Sequence, residues 1–185
     1  TGGNISVQNT GDVTTTGVVV DQTTGKSINL TATSGTMTLN AAVTGTGSDT
    51  IGLTTVTSGN IVLNSKVSTG SGEIDVTAAG AITENVSTGV LSTTGLLKTV
   101  SATGTSLTGA NTVSSFNATN STSGDISLVN SGALTITGIS ETGGNISVQN
   151  TGDVTTTGVV VDQTAGNAIN LTATSGTMTL NAAVT

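Results

Sequence analysis

Residues 5–30 read ISVQNTGDVTTTGVVVDQTTGKSINL, and the spacing inside this stretch decides the fold. It opens on the apolar-x-apolar triplet Ile5-Ser6-Val7 and closes on a second, Ile28-Asn29-Leu30. The triplet returns after the same interval at Ile51-Gly52-Leu53 and Ile74-Asp75-Val76, and Leu97 continues the count. The register then slips, and triplets resume at Ile126-Ser127-Leu128, Ile146-Ser147-Val148 and Ile169-Asn170-Leu171. A second mark follows each one: a Gly with an apolar residue two places on, as in Gly11/Val13, Gly35/Met37, Gly59/Ile61, Gly80/Ile82, Gly132/Leu134, Gly152/Val154 and Gly176/Met178. Alternation over three to six residues, broken by Gly, Ser, Asn and Thr, reads as short strands and tight turns. Helix is disfavoured, because Thr, Val, Ser and Gly are poor helix formers and no 3.6-residue apolar stripe appears.

A longer period lies above this one. Residues 1–44 return as 142–185, and only Thr24/Ala165, Lys26/Asn167 and Ser27/Ala168 differ, so the chain holds one 141-residue unit and the start of another. A strand-only repeat of about 20–25 residues is the pattern of a β-solenoid, in which each period is one coil and successive coils pair in parallel. The expected fold is an all-β, right-handed parallel β-helix of about 23 residues per coil and about eight coils, the hand following from crossover chirality. The whole chain, 1–185, reads as a single solenoid segment. Residues 87–122 break the pattern, and a long coil containing Phe116, looped out or distorted, is expected there.

One inward column is expected to carry the marked apolar residues Val13, Met37, Ile61, Ile82, Leu134, Val154 and Met178. Asn40, Asn64, Asn85 and Asn181 each fall five residues after a marker Gly and are expected to stack as an amide ladder. The absence of proline suits strands paired on both sides.

The composition narrows the function. Charged residues make up 7% of the chain, against roughly 25% in ordinary soluble domains, and Cys, His, Trp, Tyr and Pro are absent. A hydrophobic fraction of 34% and the regular apolar spacing argue against disorder. The net charge of −7, with three basic residues, disfavours nucleic acid and anionic membranes. The longest Val/Ile/Leu run, Val18–Val20, is too short to span a bilayer. No signal peptide is visible, and the sequence starts and stops inside a repeat, which suggests a piece of something longer.

The stretch 107–139, LTGANTVSSFNATNSTSGDISLVNSGALTITGI, resembles the β-helical stalks of filamentous-haemagglutinin-like bacterial exoproteins exported by two-partner secretion. The resemblance is carried by Leu107-Thr108-Gly109-x-Asn111-x-Val113, by Phe116, and by Gly124-Asp125-Ile126-x-Leu128-x-Asn130-x-Gly132-Ala133-Leu134-Thr135-Ile136-Thr137-Gly138. The other coils share the simpler I-x-V-x3-G-x-V-T. The resemblance implies a right-handed β-helix, secretion from a Gram-negative-type cell to its surface or exterior, and a part in attachment or filament building.

Candidate chemistry is sparse. Gly25-Lys26-Ser27 ends like a phosphate-binding loop, but the Gly required five residues earlier is Val20 and no helix is expected to follow. Glu73 and Asp75 share a strand face, and Asp75 precedes Lys98 by one coil's interval, the spacing of an ion pair between coils. Asp12 and Asp21 gain no second carboxylate from the next coil. These are expected to be surface carboxylates, with no catalytic residues, no cofactor and no metal. Asn-x-Ser/Thr triplets at Asn4, Asn29, Asn85 and Asn117 follow from composition. Thr14/Thr16, Thr135/Thr137 and Thr155/Thr157 are expected to share a pair of columns, which raises ice binding as an alternative function. A polysaccharide-acting β-helix enzyme is the other. The leading expectation is a stiff shaft whose partners are neighbouring repeats, a second chain end to end or side to side, or a surface receptor or glycan.

Overall fold

A computed structural model describes residues 2–185. Among them are twenty strands and no helix, joined in one parallel β-solenoid of about eight coils. Each early coil has three strands. The first coil supplies Ile5–Asn9 to a first wall, Val13–Thr15 to a second and Val19–Val20 to a third. Every second residue points inward, so a coil offers one row of apolar side chains that only another coil can cover.

The first wall stacks Ile5, Ile28, Ile51 and Ile74 in register and continues through Leu97, Phe116 and Ile136. From Ile28 to Ile136 these side chains are at most 1% exposed. Each fully buried aliphatic side chain contributes about 1.5–3 kcal/mol of transfer free energy. The second wall stacks Val13, Met37, Ile61 and Ile82, then Thr105, Ile126, Ile146 and Ile169. The third stacks Val19, Val43, Val67 and Leu91.

The slip after Leu97 has a structural cause. The triplets at Ile126, Ile146 and Ile169 lie on the second wall, whereas those at Ile5, Ile28, Ile51 and Ile74 lie on the first. The wall that began as one strand divides: Leu134–Glu141 sits below two strands, Val154–Thr156 and Val160–Asp162. The second and third walls meanwhile fuse, so that Ile126–Ser131 pairs with both Thr105–Leu107 and Asn111 of the coil below. The 141-residue unit therefore makes six turns plus the arc from one wall to the next. The two copies nevertheless keep the same internal steps. The bonds from Asn4 to Ser27 and from Asn145 to Ala168 both span 23 residues, and those from Asp12 to Thr36 and from Asp153 to Thr177 both span 24.

Of the forms expected over 87–122, the long, looped-out coil is ruled out by this geometry, and the coil is irregular in register instead. Residues there form the two longest strands, Val90–Ser101 and Thr105–Asn120. The coil is short rather than long. Ser101 and Asn120, paired across adjacent coils, are 19 residues apart, and Asn130 and Asn150, paired across a later junction, are 20 apart. Register shifts between Thr93 and Leu96 and between Leu107 and Asn111 absorb the difference. Counting triplets along the sequence spans two walls here, and that makes a narrow coil look wide.

Candidate functional site

The phosphate-loop remnant is a corner. Gly25 and its counterpart Gly166 take φ values of 78° and 97°, left-handed backbone that favours glycine. The neighbouring positions are held by their backbones: Lys26 donates its N–H to Asp49 Oδ1 at 2.7 Å, and Ser27 donates to Asn4 Oδ1 at 3.2 Å. In the second copy Ala168 makes the equivalent N–H bond to Asn145 Oδ1 at 2.9 Å. Bonds of this kind do not depend on the side chain, which accounts for the free exchange of Ser27 for Ala168.

The outward carboxylates behave in two ways. Asp12 accepts the Thr36 N–H at 2.7 Å, and Asp153, its counterpart, accepts the Thr177 N–H at 2.8 Å. Each ties a strand entry to the next coil. Asp75 accepts Lys98 Nζ at 2.9 Å and the Thr77 hydroxyl at 2.9 Å. Lys98 is pushed up from its ordinary value by the hydrogen bond and charge of Asp75, with a smaller contribution from Glu73. Gly52 leaves a gap in the outward row Asn29–Gly52–Asp75, and this opens a shallow groove of about 390 Å³ lined by Thr50, Thr54, Glu73 and Thr77. Glu73 and Asp75 are the two carboxylates of its lining. Among the described residues no three Asp, Glu, His or Cys side chains gather at a metal-binding spacing.

The apolar residues placed in one column occupy two. Val13, Met37, Ile61 and Ile82 stack on the second wall, at most 8% exposed. Leu134, Val154 and Met178 stack on the first, where Met178, in the last coil, is half-buried. The asparagines also separate. Asn64 Nδ2 donates to Asn40 Oδ1 at 2.9 Å, whereas Asn85 turns its Oδ1 to the N–H groups of Ser87 and Thr88 and Asn181 is exposed. The threonine rows divide in the same way. Thr14 pairs with Thr38 on the second wall, while Thr135, Thr155 and Thr179 align on the first.

Two inward polar seams fill the narrow coils, and no sequence expectation covered them. The first is Asn111, Asn130 and Asn150, stacked in register and at most 3% exposed. Asn130 Nδ2 donates to Asn150 Oδ1 at 2.9 Å and to the Val113 carbonyl at 3.1 Å, and its Oδ1 accepts the Val113 N–H at 2.8 Å. Asn150 in turn donates to the carbonyls of Gly132 and Asp153. Buried amides that satisfy backbone groups in this way hold a corner too tight to bond itself. At the foot of the seam Glu84 accepts the Gly109 N–H at 2.7 Å and the Asn111 amide at 3.0 Å. Gly89 makes room for it, since a Cβ there would overlap Glu84 Cγ. Burial pushes the Glu84 carboxyl up, against the opposing pull of Asn111 and Gly109.

The second seam is Ser101, Asn120, Glu141 and Asp162. Ser101 Oγ donates to Asn120 Oδ1 at 3.1 Å, and Asn120 Nδ2 donates to Glu141 Oε1 at 2.8 Å. A sequence signal for the first seam exists: in Ile126-x-Leu128-x-Asn130 and Ile146-x-Val148-x-Asn150 the period of two, carried one step further, points the Asn inward.

Compared with known proteins, the chain matches no family model, no curated protein and no solved structure.

Proposed function

We propose that this chain is a length of structural shaft from a repetitive exoprotein on a bacterial surface or outside the cell, where it holds an adhesive or assembling part away from its base. The observation that carries the reading is the equal internal stepping of the two copies. A second unit begins on top of the first with the same coil geometry, so units add end to end without a joint. The filamentous-haemagglutinin-like resemblance supports the same reading and adds secretion and attachment to a receptor or glycan. Open coil edges at either end give end-on association with a second chain a ready template.

The test is a series of proteins with one, two and four 141-residue units, measured by electron microscopy and small-angle scattering. At about 4.8 Å per coil each unit should lengthen one straight rod by roughly 30 Å. Beads that tumble independently, or a length that does not grow with unit number, would sink the reading.

A further inference from the structure

The second polar seam ends in an unusual pairing. Glu141 and Asp162 stand opposite each other on adjacent coils, in register and on the inner side of the wall. Glu141 is fully buried. One oxygen of each carboxyl is satisfied: Glu141 Oε1 by the Asn120 amide, and Asp162 Oδ1 by the Thr164 N–H at 2.9 Å. The other oxygens, Glu141 Oε2 and Asp162 Oδ2, are buried and have no hydrogen-bond partner. In the asparagine seam the amides can supply hydrogens to their neighbours, as Asn130 does to the oxygen of Asn150. Two carboxylates in that position have no hydrogen to pass. Both orphan oxygens are acceptors, and each lacks a hydrogen.

We propose that Glu141 and Asp162 hold one proton between them and form a carboxyl–carboxylate lock across two coils. Asp162 is the repeat counterpart of Asp21, so in an array of these repeats the lock recurs once every 141 residues. The carboxylic acid O–H of one partner donates to the carboxylate oxygen of the other, and loss of the lock releases that proton to solvent and leaves two stacked charges.

The surroundings favour the proton. Burial pushes the Glu141 carboxyl up, against the Asn120 amide and the Thr142 N–H, and the charges of Asp162 and Asp125 push it further in the same direction. Asp162 on the neighbouring strand and Asp125 in the turn below are the ionisable groups that act on it, and both are acidic. The one ion pair among the described residues, Lys98–Asp75, lies on lower coils of the solenoid. Because the folded-state value lies above the unfolded one, the contribution to stability is complete below the ordinary carboxylate range and is lost as pH rises through the raised value.

The experiment follows the side-chain carboxyl carbons of Glu141 and Asp162 by NMR across pH in the intact 185-residue chain. Two coupled steps are expected, felt by both residues, the second well above the ordinary carboxylate range. In Asp162→Asn, an isosteric change that supplies an amide donor, the Glu141 titration should fall back toward the ordinary range. Independent titration of the two residues at ordinary values in the unmodified chain would overturn the proposal. So would a Glu141 titration that stays equally raised in Asp162→Asn, since burial alone would then account for it. The first measurement needs no variant, so a variant that fails to fold leaves the proposal open to refutation.

Discussion

The wide coils at either end of the chain and the narrow coils between them, from Leu97 to Asn150, solve the same problem with different side chains. In the wide coils, with a step of 23 or 24 residues, the interior is mostly Ile, Val, Leu and Met, and isolated buried side chains such as Asp49 and Thr55 bond the corners. In the narrow coils a step of 19 or 20 residues removes corner residues, and buried Asn, Ser and Glu side chains take over the hydrogen bonds that the missing backbone would have made. The contrast shows what coil length costs inside a solenoid. Shortening a coil exchanges apolar filling for a polar seam that must be satisfied at every rung.

The largest losses are expected in the wide coils. Ile61→Asp places a charge in a dry column between Met37 and Ile82, and the chain should lose at least about 4 kcal/mol, read as loss of the cooperative urea transition. An unshifted midpoint would mean that Ile61 does not face inward. Phe116→Ala removes the one aromatic side chain at the first narrow coil and should cost about 3–5 kcal/mol, with Phe116→Leu recovering most of it. If both variants melt alike, the ring is not packed as described.

The seams sharpen the contrast. Asn130→Ala orphans the Val113 N–H and carbonyl and should cost about 2–4 kcal/mol, whereas Asn64→Ala, in the outer two-rung ladder, should cost less than about 0.5 kcal/mol. Equal losses would remove the distinction between inner and outer amides. Glu84→Gln tests the carboxyl where the two regions join. Its value is raised by burial, so its contribution is present at acidic pH and fades as pH rises through that value. The Gln variant should therefore flatten the decline of stability above the ordinary carboxylate range, and an unchanged pH profile would count against it. The smallest effect is expected on the surface. Lys98→Ala breaks a partly exposed ion pair and should cost about 0–1 kcal/mol, less at high salt, by denaturant titration.

The sequence made the wide coils legible because their inward residues are apolar and their step is constant. Ile28, Ile51 and Ile74 announce a rung each time. It hid the narrow coils for two physical reasons. Their inward positions are partly Asn, Ser and Glu, which read as surface residues until a neighbouring coil is known to cover them, as it does Asn111 and Glu141. The apolar triplet also changes walls there, so that a distance along the chain no longer measures a distance around the coil. The same change of wall explains why Leu134, aligned by sequence with Ile82, stacks elsewhere. The candidate carboxylates fared unevenly. The Asp75–Lys98 pair could be foreseen from its spacing alone, whereas the buried pair at Glu141 and Asp162 required knowing which faces of the chain turn inward.

The extra arc that each unit adds to its six turns gives an array of these units a slow precession. The groove at Gly52, the Lys98 ion pair and every other outward feature would reappear farther along the rod facing a new compass direction. Two such rods lying side by side could match one stripe of side chains for only a short distance before the pattern turned away.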